Sequence, residues 1–175
     1  MGEAAADDVL GDPRAPGRPG IESGRFREVL GHFATGVTIV TAIEDGEPVG
    51  FTCQAFTSLS LEPPLVALAP AKNSTSWPRI ANAGSFCVNI LAEDQEALCR
   101  EFAVSGGDKF RGVGWRPGAT GAPVLDGALA WVECAFEHAY DAGDHELVVG
   151  RVLDLGVTPA RPLLYYRGGF GRFEP

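Results

Sequence analysis

The first 22 residues are rich in Ala, Gly, Pro and Asp and show no apolar period; a periodic pattern begins only at Ser23. So little apolar surface cannot offset the entropy of ordering the backbone, so residues 1–22 are expected to form a flexible tail and residues 23–175 the folded domain. In SGRFREVLGHFATG, Phe26, Val29, Leu30 and Phe33 recur at helical spacing, with Ser23 placed to cap the helix and Gly36 to close it. That stripe reads as core packing rather than as part of a cofactor site. His32, beside it, reads as a surface or helix-end residue.

From there the rhythm shortens. GVTIVTAI is β-branched and ends at EDGE, after which PVGFTCQAF resumes as a second strand, so Asp45-Gly46 marks a hairpin. PPLVALAP and GSFCVNIL supply two more short strands. Between them AKNSTSWPRIANAG holds a brief helix carrying Trp77 and Ile80, capped by a Ser or Thr and ended near Gly84. AEDQEALCREF is a helix with acidic residues in its first turn, where the helix dipole favours them, and with Leu98 and Phe102 on one face. ALAWVECAFEHAY, HELVVGRVLDLGV and PLLYYRG read as three further strands. GFTCQAFTSLSLEPP and AKNSTSW concentrate hydroxyls, small residues and turns between strands. Short strands dominate without regular strand-helix alternation, which predicts a mostly β fold: a closed or nearly closed, Greek-key-like antiparallel barrel with a few peripheral helices.

Charge narrows the partners. The formal net charge of -9 disfavours nucleic acid and anionic membrane surfaces, both of which attract a cationic face. No apolar run reaches the roughly 18 residues needed to span a bilayer, and the first residues lack the basic-then-apolar order of a secretory signal, so a cytoplasmic location is expected. Cys53, Cys87, Cys99 and Cys134 form no Cys-x-x-Cys pair, and three of them lie in apolar runs where a reduced thiol behaves as a small hydrophobe. Neither disulfides nor a zinc knuckle is implied.

Several chemistries lack their residues. There is no Gly-x-Ser-x-Gly elbow, no His/carboxylate set spaced to hold a metal, and no Gly-x-Gly-x-x-Gly or P-loop. What remains is Ser74, Thr75 and Ser76 with Lys72 beside them, readable either as an anion cradle at a helix start or as routine capping of that helix. The corner Gly143-Asp144-His145 is similarly two-sided: a turn opening a strand, or an imidazole presented to a ligand.

The ordered segments FREVLGHFATGVTIVT, VGFTCQAFTSLSLEPPLV, STSW, FCVNIL, DKF, GAPVLDGALAWVEC, GDHELVVGRV and PLLYYRGGF resemble the flavin reductase-like family from about Phe26 to Phe173. That family comprises the small NAD(P)H-using components of two-component flavin monooxygenases. The resemblance implies an FMN-binding split barrel, usually a homodimer, that reduces FMN or FAD with NADH or NADPH and supplies it to a flavin-dependent monooxygenase. It implies that Val49, Gly50, Phe51, Thr52, Gln54 and Ala55 lie against the isoalloxazine ring, flanked by Ala69 and Pro70. Ser74, Thr75 and Ser76 would take the phosphate, with Phe102, Lys109 and Phe110 near the cofactor.

In many relatives a basic residue stands where Thr75 is, which implies a weaker phosphate grip and leaves FMN against FAD open. Gly143, Asp144, His145 and Glu146 match a motif beside the nicotinamide, and Tyr165, Tyr166, Arg167 and Gly168 a second segment nearby. Hydride transfer needs stacked alignment more than an acid or base, so the role implied for His145 is orientation and electrostatics. Two rival readings stand beside the reductase: a protein that keeps FMN tightly for electron transfer or sequestration, and a dimeric scaffold that has lost its ligand.

Overall fold

The computed structural model describes residues 20–174, so the expected tail lies almost wholly outside the described residues. In chain order the elements are α1 (Ser23–Leu30), β1 (Thr35–Gly36), β2 (Thr38–Glu44), β3 (Glu47–Cys53), β4 (Phe56–Leu61) and β5 (Pro64–Leu68). Then come α2 (Trp77–Ala83), β6 (Ser85–Ile90), α3 (Glu96–Ala103), β7 (Trp115–Pro117) and β8 (Pro123–Leu125). The long strands β9 (Ala130–Ala142) and β10 (His145–Val157) follow, and β11 (Leu163–Tyr166) and β12 (Gly169–Arg172) complete the order.

One antiparallel sheet of seven strands carries the fold, in the order β3-β2-β6-β9-β10-β5-β4. Its two outer strands, β3 and β4, are consecutive in the chain and joined by Gln54-Ala55 alone. The sheet therefore curls until its edges meet at one corner, yet no ladder joins them among the described residues. This is the expected mostly β architecture, a barrel left split along one seam.

The β2–β3 hairpin forms where Asp45-Gly46 predicts it. Both residues take positive φ (51° and 83°), the primed turn whose twist matches its flanking strands. Strand β2 is buried on both faces, which explains its β-branched, largely apolar run, and the hydroxyls of its buried Thr38 and Thr41 donate to backbone carbonyls. Val40 and Ala42 join Val66, Leu68, Phe86, Val88 and Val148 in one cluster. Val37 and Ile39 join Leu91, Cys99, Phe102 and Leu163 in another, against α3 and β11. Gly150 marks a close approach: a Cβ there would meet Phe86 Cζ at 2.7 Å, beside a register shift in the β9–β10 ladder.

Polar groups pin the β7–β8 arm. Asn89, fully buried, donates to Pro123 O (3.2 Å) and accepts from the Leu125 N–H (2.8 Å), and the Thr41 hydroxyl donates to Pro123 O (2.6 Å). The buried Glu133 carboxylate accepts from the N–H groups of Ala119 (2.8 Å) and Thr120 (2.7 Å) and from the Thr120 hydroxyl (2.6 Å). Burial alone would raise its pKa, but these donors, with Arg116 nearby, hold it below the ordinary carboxylate value. All four cysteines are free and buried, Cys99 as well as the three in apolar runs.

Several expectations are corrected. The apolar stripe of α1 is not core: none of the helix is buried, and Phe26, Leu30 and Phe33 are 53%, 54% and 74% exposed. Helical spacing reports which face is apolar, not what covers it. Ser23 is the first helical residue rather than the cap, and Gly36 does not close the helix; it pairs with Leu164 in β1, where the chain is captured by an edge. TSLSL, read as a hydroxyl-rich stretch between strands, belongs with Phe56 to β4, a largely exposed strand at a sheet edge whose weak alternation conceals it. The short strands β7, β8 and β12 were not anticipated either.

Candidate cofactor cleft

Where β3 turns into β4, the chain walls a cleft of about 840 Å³, within the size range of small-molecule and cofactor sites. One wall is Phe51 to Thr57, a second is Ala67 to Ala71, and the third is the loop Asn73–Ser76 entering α2. His145 and Leu147 project from the start of β10, Lys109 and the end of α3 close one side, and Phe26 and Leu30 of α1, with Phe33 just after it, complete the lining.

The β5 exit and the β10 entrance are stitched together, which sets His145 on the cleft wall. The Lys72 N–H donates to Asp144 O and the Glu146 N–H to Pro70 O, both at 3.0 Å, bracketing a bridge between Ala71 and His145. Asp144 Oδ1 lies 2.7 Å from His145 Nδ1 and so fixes the ring's orientation; the hydrogen bond and the imidazole's charge hold the Asp144 carboxyl below its usual pKa. Across the cleft, Lys109 Nζ donates to Phe102 O (3.1 Å) and Gly50 O (3.3 Å), and burial lowers its pKa. Among the described residues it has no carboxylate partner. Cys53, on the same wall, is pushed up to about 11, chiefly by burial, so it stays a neutral thiol.

The expected site residues divide into groups. Phe51, Thr52, Gln54, Ala55, Ala69, Pro70, Ser74, Thr75, Ser76, Phe102, Lys109 and His145 all line the cleft, Phe102 as a fully buried residue beneath it. Val49, Gly50 and Phe110 line an adjoining recess of about 400 Å³ that shares Thr75, Ser76 and Lys109 with the cleft. Gly50 owes its missing side chain to the core, because a Cβ there would meet Phe102 Cε1 at 2.9 Å. Tyr165 and Gly168 line a third recess of about 280 Å³, which shares Thr52 and Gln54.

The remaining residues lie off the cleft wall. Gly143 and Asp144 form the exposed β9–β10 turn, and the Glu146 carboxylate turns to the Trp77 indole. Tyr166 packs edge-on to His32, while the Arg167 N–H donates to Gly31 O and so ties α1 to the β11–β12 turn. The Ser74 hydroxyl accepts the Trp77 N–H at 3.1 Å, so the capping alternative for that hydroxyl is realised. Sequence reasoning missed Phe26, Leu30 and Phe33 as cleft residues, although their stripe was visible; it also missed Thr35, whose hydroxyl accepts from Gln54 Nε2 at 3.0 Å.

The lining suits a flat, polar-edged, anionic molecule. The N–H groups of Gln54, Thr75 and Ser76 have no acceptor among the described residues, that of Ala55 points to the Cys53 sulfur, and the Lys109 ammonium supplies positive charge with no carboxylate partner among them. Apolar faces come from Phe51, Ala69 and Pro70. Such a set fits a phosphorylated ring cofactor; among the described residues no cluster suited to a metal occurs.

A split antiparallel barrel with a cofactor-sized cleft at its seam is the frame of a small-molecule-binding protein. Residues 30–174 match the flavin reductase like domain, and the chain belongs to that family. It is 49% identical over 169 residues to the reductase subunit HsaB of a flavin-dependent monooxygenase from Rhodococcus jostii, covering 96% of this chain and 86% of that protein. Among solved structures it is similar to a homologue of nitrilotriacetate monooxygenase component B from Mycobacterium thermoresistibile (TM-score 0.84, 48% identity, 87% of each chain). It is also similar to the NADH:FAD oxidoreductase SgcE6 of Streptomyces globisporus in complex with NAD and FAD fragments (TM-score 0.82, 39% identity, 87% of this chain and 93% of that one).

Proposed function

We propose that the cleft at the β3–β4 corner binds flavin and reduced nicotinamide together. The protein is an NAD(P)H:flavin oxidoreductase that supplies reduced FMN or FAD to a partner monooxygenase. The observation that carries the site reading is the convergence in one cleft of the Gln54 N–H, without an acceptor among the described residues, the hydroxyl loop Ser74–Ser76, Lys109 and His145.

When bound, the flavin supplies at N5 the acceptor for hydride from nicotinamide C4. The chain's own work is placement. The N–H groups at the β3–β4 corner are fixed dipoles that stabilise negative charge on a reduced ring without reorganising. Lys109, partly desolvated and unpaired by carboxylate, draws a phosphate more strongly than an exposed lysine does. His145, oriented by Asp144, holds the nicotinamide edge, and Phe51, Ala69 and Pro70 give the flat ring its apolar faces.

The exposed stripe Phe26, Leu30 and Phe33 stands over the opening, and its cover in a homodimer is a second copy of the chain, which completes the cleft. One domain over residues 23–175 carries these parts. A cytoplasmic location accords with four free thiols, and no helix among the described residues is long and apolar enough to cross a membrane.

The test is anaerobic oxidation of NADH and NADPH against FMN, FAD and riboflavin. Turnover well beyond one equivalent of protein is expected; bleaching limited to one equivalent would replace the reductase with a tight flavin carrier.

A further inference from the structure

Residues 70–77 leave β5, pass the start of β10 and enter α2, and one residue holds both of their ends. The Glu146 N–H donates to Pro70 O at 3.0 Å. At the far end the Trp77 indole Nε1–H donates to Glu146 Oε2 at 2.6 Å, a short bond assisted by the carboxylate's charge. Trp77 is 4% exposed and set edge-on against Phe51 and Phe86, so the carboxylate is anchored to the barrel core. Side chains alternate along a strand, and His145 and Leu147 line the cleft while Glu146 between them turns to Trp77. Ser74, Thr75 and Ser76 lie between the two anchors.

We propose that Glu146 is a positioning residue that holds the hydroxyl loop and His145 in one rigid frame, so that the flavin and nicotinamide halves of the cleft are set by a single clamp. The inference rests on the reading of the cleft given above and deepens it. The backbone bond to Pro70 survives any substitution at 146 except proline, whereas the bond to Trp77 belongs to the side chain. Glu146→Gln keeps an acceptor at the same reach, Glu146→Ala removes it, and Trp77→Phe removes the donor.

The first readout needs no ligand. In ¹H–¹⁵N spectra of the flavin-free protein, the Trp77 indole N–H, assigned through Trp77→Phe, shifts and exchanges faster with solvent in Glu146→Ala but keeps its protection in Glu146→Gln. The second is a pair of affinities. Glu146→Ala raises both the FMN Kd, measured by quenching of FMN fluorescence, and the NADH KM by about tenfold, the scale of one lost charge-assisted hydrogen bond. Glu146→Gln restores both. In a His145→Ala background Glu146→Ala adds nothing to the NADH KM but still weakens FMN binding.

Unchanged FMN affinity in Glu146→Ala, an equal rise of NADH KM in both backgrounds, or a Gln variant as impaired as the Ala variant would overturn the clamp. Should Glu146→Ala not fold, Trp77→Phe carries the same affinities and the same cycle. Wild-type protein that neither binds FMN nor oxidises NADH would overturn the reading of the cleft, whereas an indole signal indifferent to Glu146→Ala would overturn the clamp alone.

Discussion

Replacing Glu133 by Gln tests how the barrel holds its β7–β8 arm. One carboxylate oxygen accepts the Ala119 N–H and the other accepts the Thr120 N–H and hydroxyl. An amide offers one acceptor and one NH₂. Whichever way it turns, the NH₂ faces a backbone N–H, leaving a donor against a donor in a site with no solvent exposure. An unsatisfied buried group costs about 1–3 kcal/mol and the lost charge assistance adds to it, so Glu133→Gln should destabilise the fold by about 3 kcal/mol at pH 7. There is no slack for a shift, because a Cβ on Gly118 would already overlap the Glu133 carboxylate.

Acidification supplies the matching arm of the test. The folded carboxyl titrates below its unfolded value, so its contribution is fully present above the unfolded value, near 4.5, and is lost as pH falls through the folded one. Urea unfolding of wild type and Glu133→Gln from pH 7 down to pH 3 should therefore show curves that converge toward the acid end. A gap below about 0.5 kcal/mol at neutral pH, the ordinary range for surface substitutions, or one that persists unchanged into acid, would refute the account of this carboxylate as the arm's anchor.

Other substitutions test the cleft. Gly50→Ala sets a methyl against the buried Phe102 ring, which cannot withdraw, and should cost about 1–3 kcal/mol in urea unfolding while weakening FMN binding. His145→Ala should raise the NADH requirement and slow anaerobic flavin reduction with FMN affinity near normal; unchanged stopped-flow reduction would remove His145 from the site. Lys109→Met should weaken FMN more than riboflavin, since only FMN carries the phosphate, and equal losses would show that the lysine does not meet it. With a second copy covering Phe26 and Phe33 as proposed, Phe26→Ser with Phe33→Ser should shift sedimentation from dimer to monomer; a wild-type monomer, or a dimer unaltered by the pair, would remove this cover.

The sequence made the strongly patterned elements legible: β2, β6, β9 and β10 read as strands because β-branched and apolar stretches such as TIV and FCV are buried in the sheet. The cleft's walls were legible only through family resemblance, since nothing in FTCQAF announces that the two edges of a sheet meet at Gln54-Ala55. Edge pairing is what periodicity reads worst. Strand β4 is exposed and β1 is two residues long, so neither leaves an alternating signature. Glu146 was grouped with His145 as a ligand contact because the two are adjacent in the motif; the pleat sends them to opposite sides and gives Glu146 to Trp77. The α1 stripe shows the converse failure, a correct period paired with an incorrect destination.

The corner at Gln54-Ala55 bears on traffic as well as on affinity. A shuttle that must surrender its cargo to another enzyme is poorly served by a sealed box, whose lid could lift only by tearing ladder hydrogen bonds. Here the seam between β3 and β4 is unlaced, so a ring bound there as proposed would pass out while every rung of the sheet stays fastened.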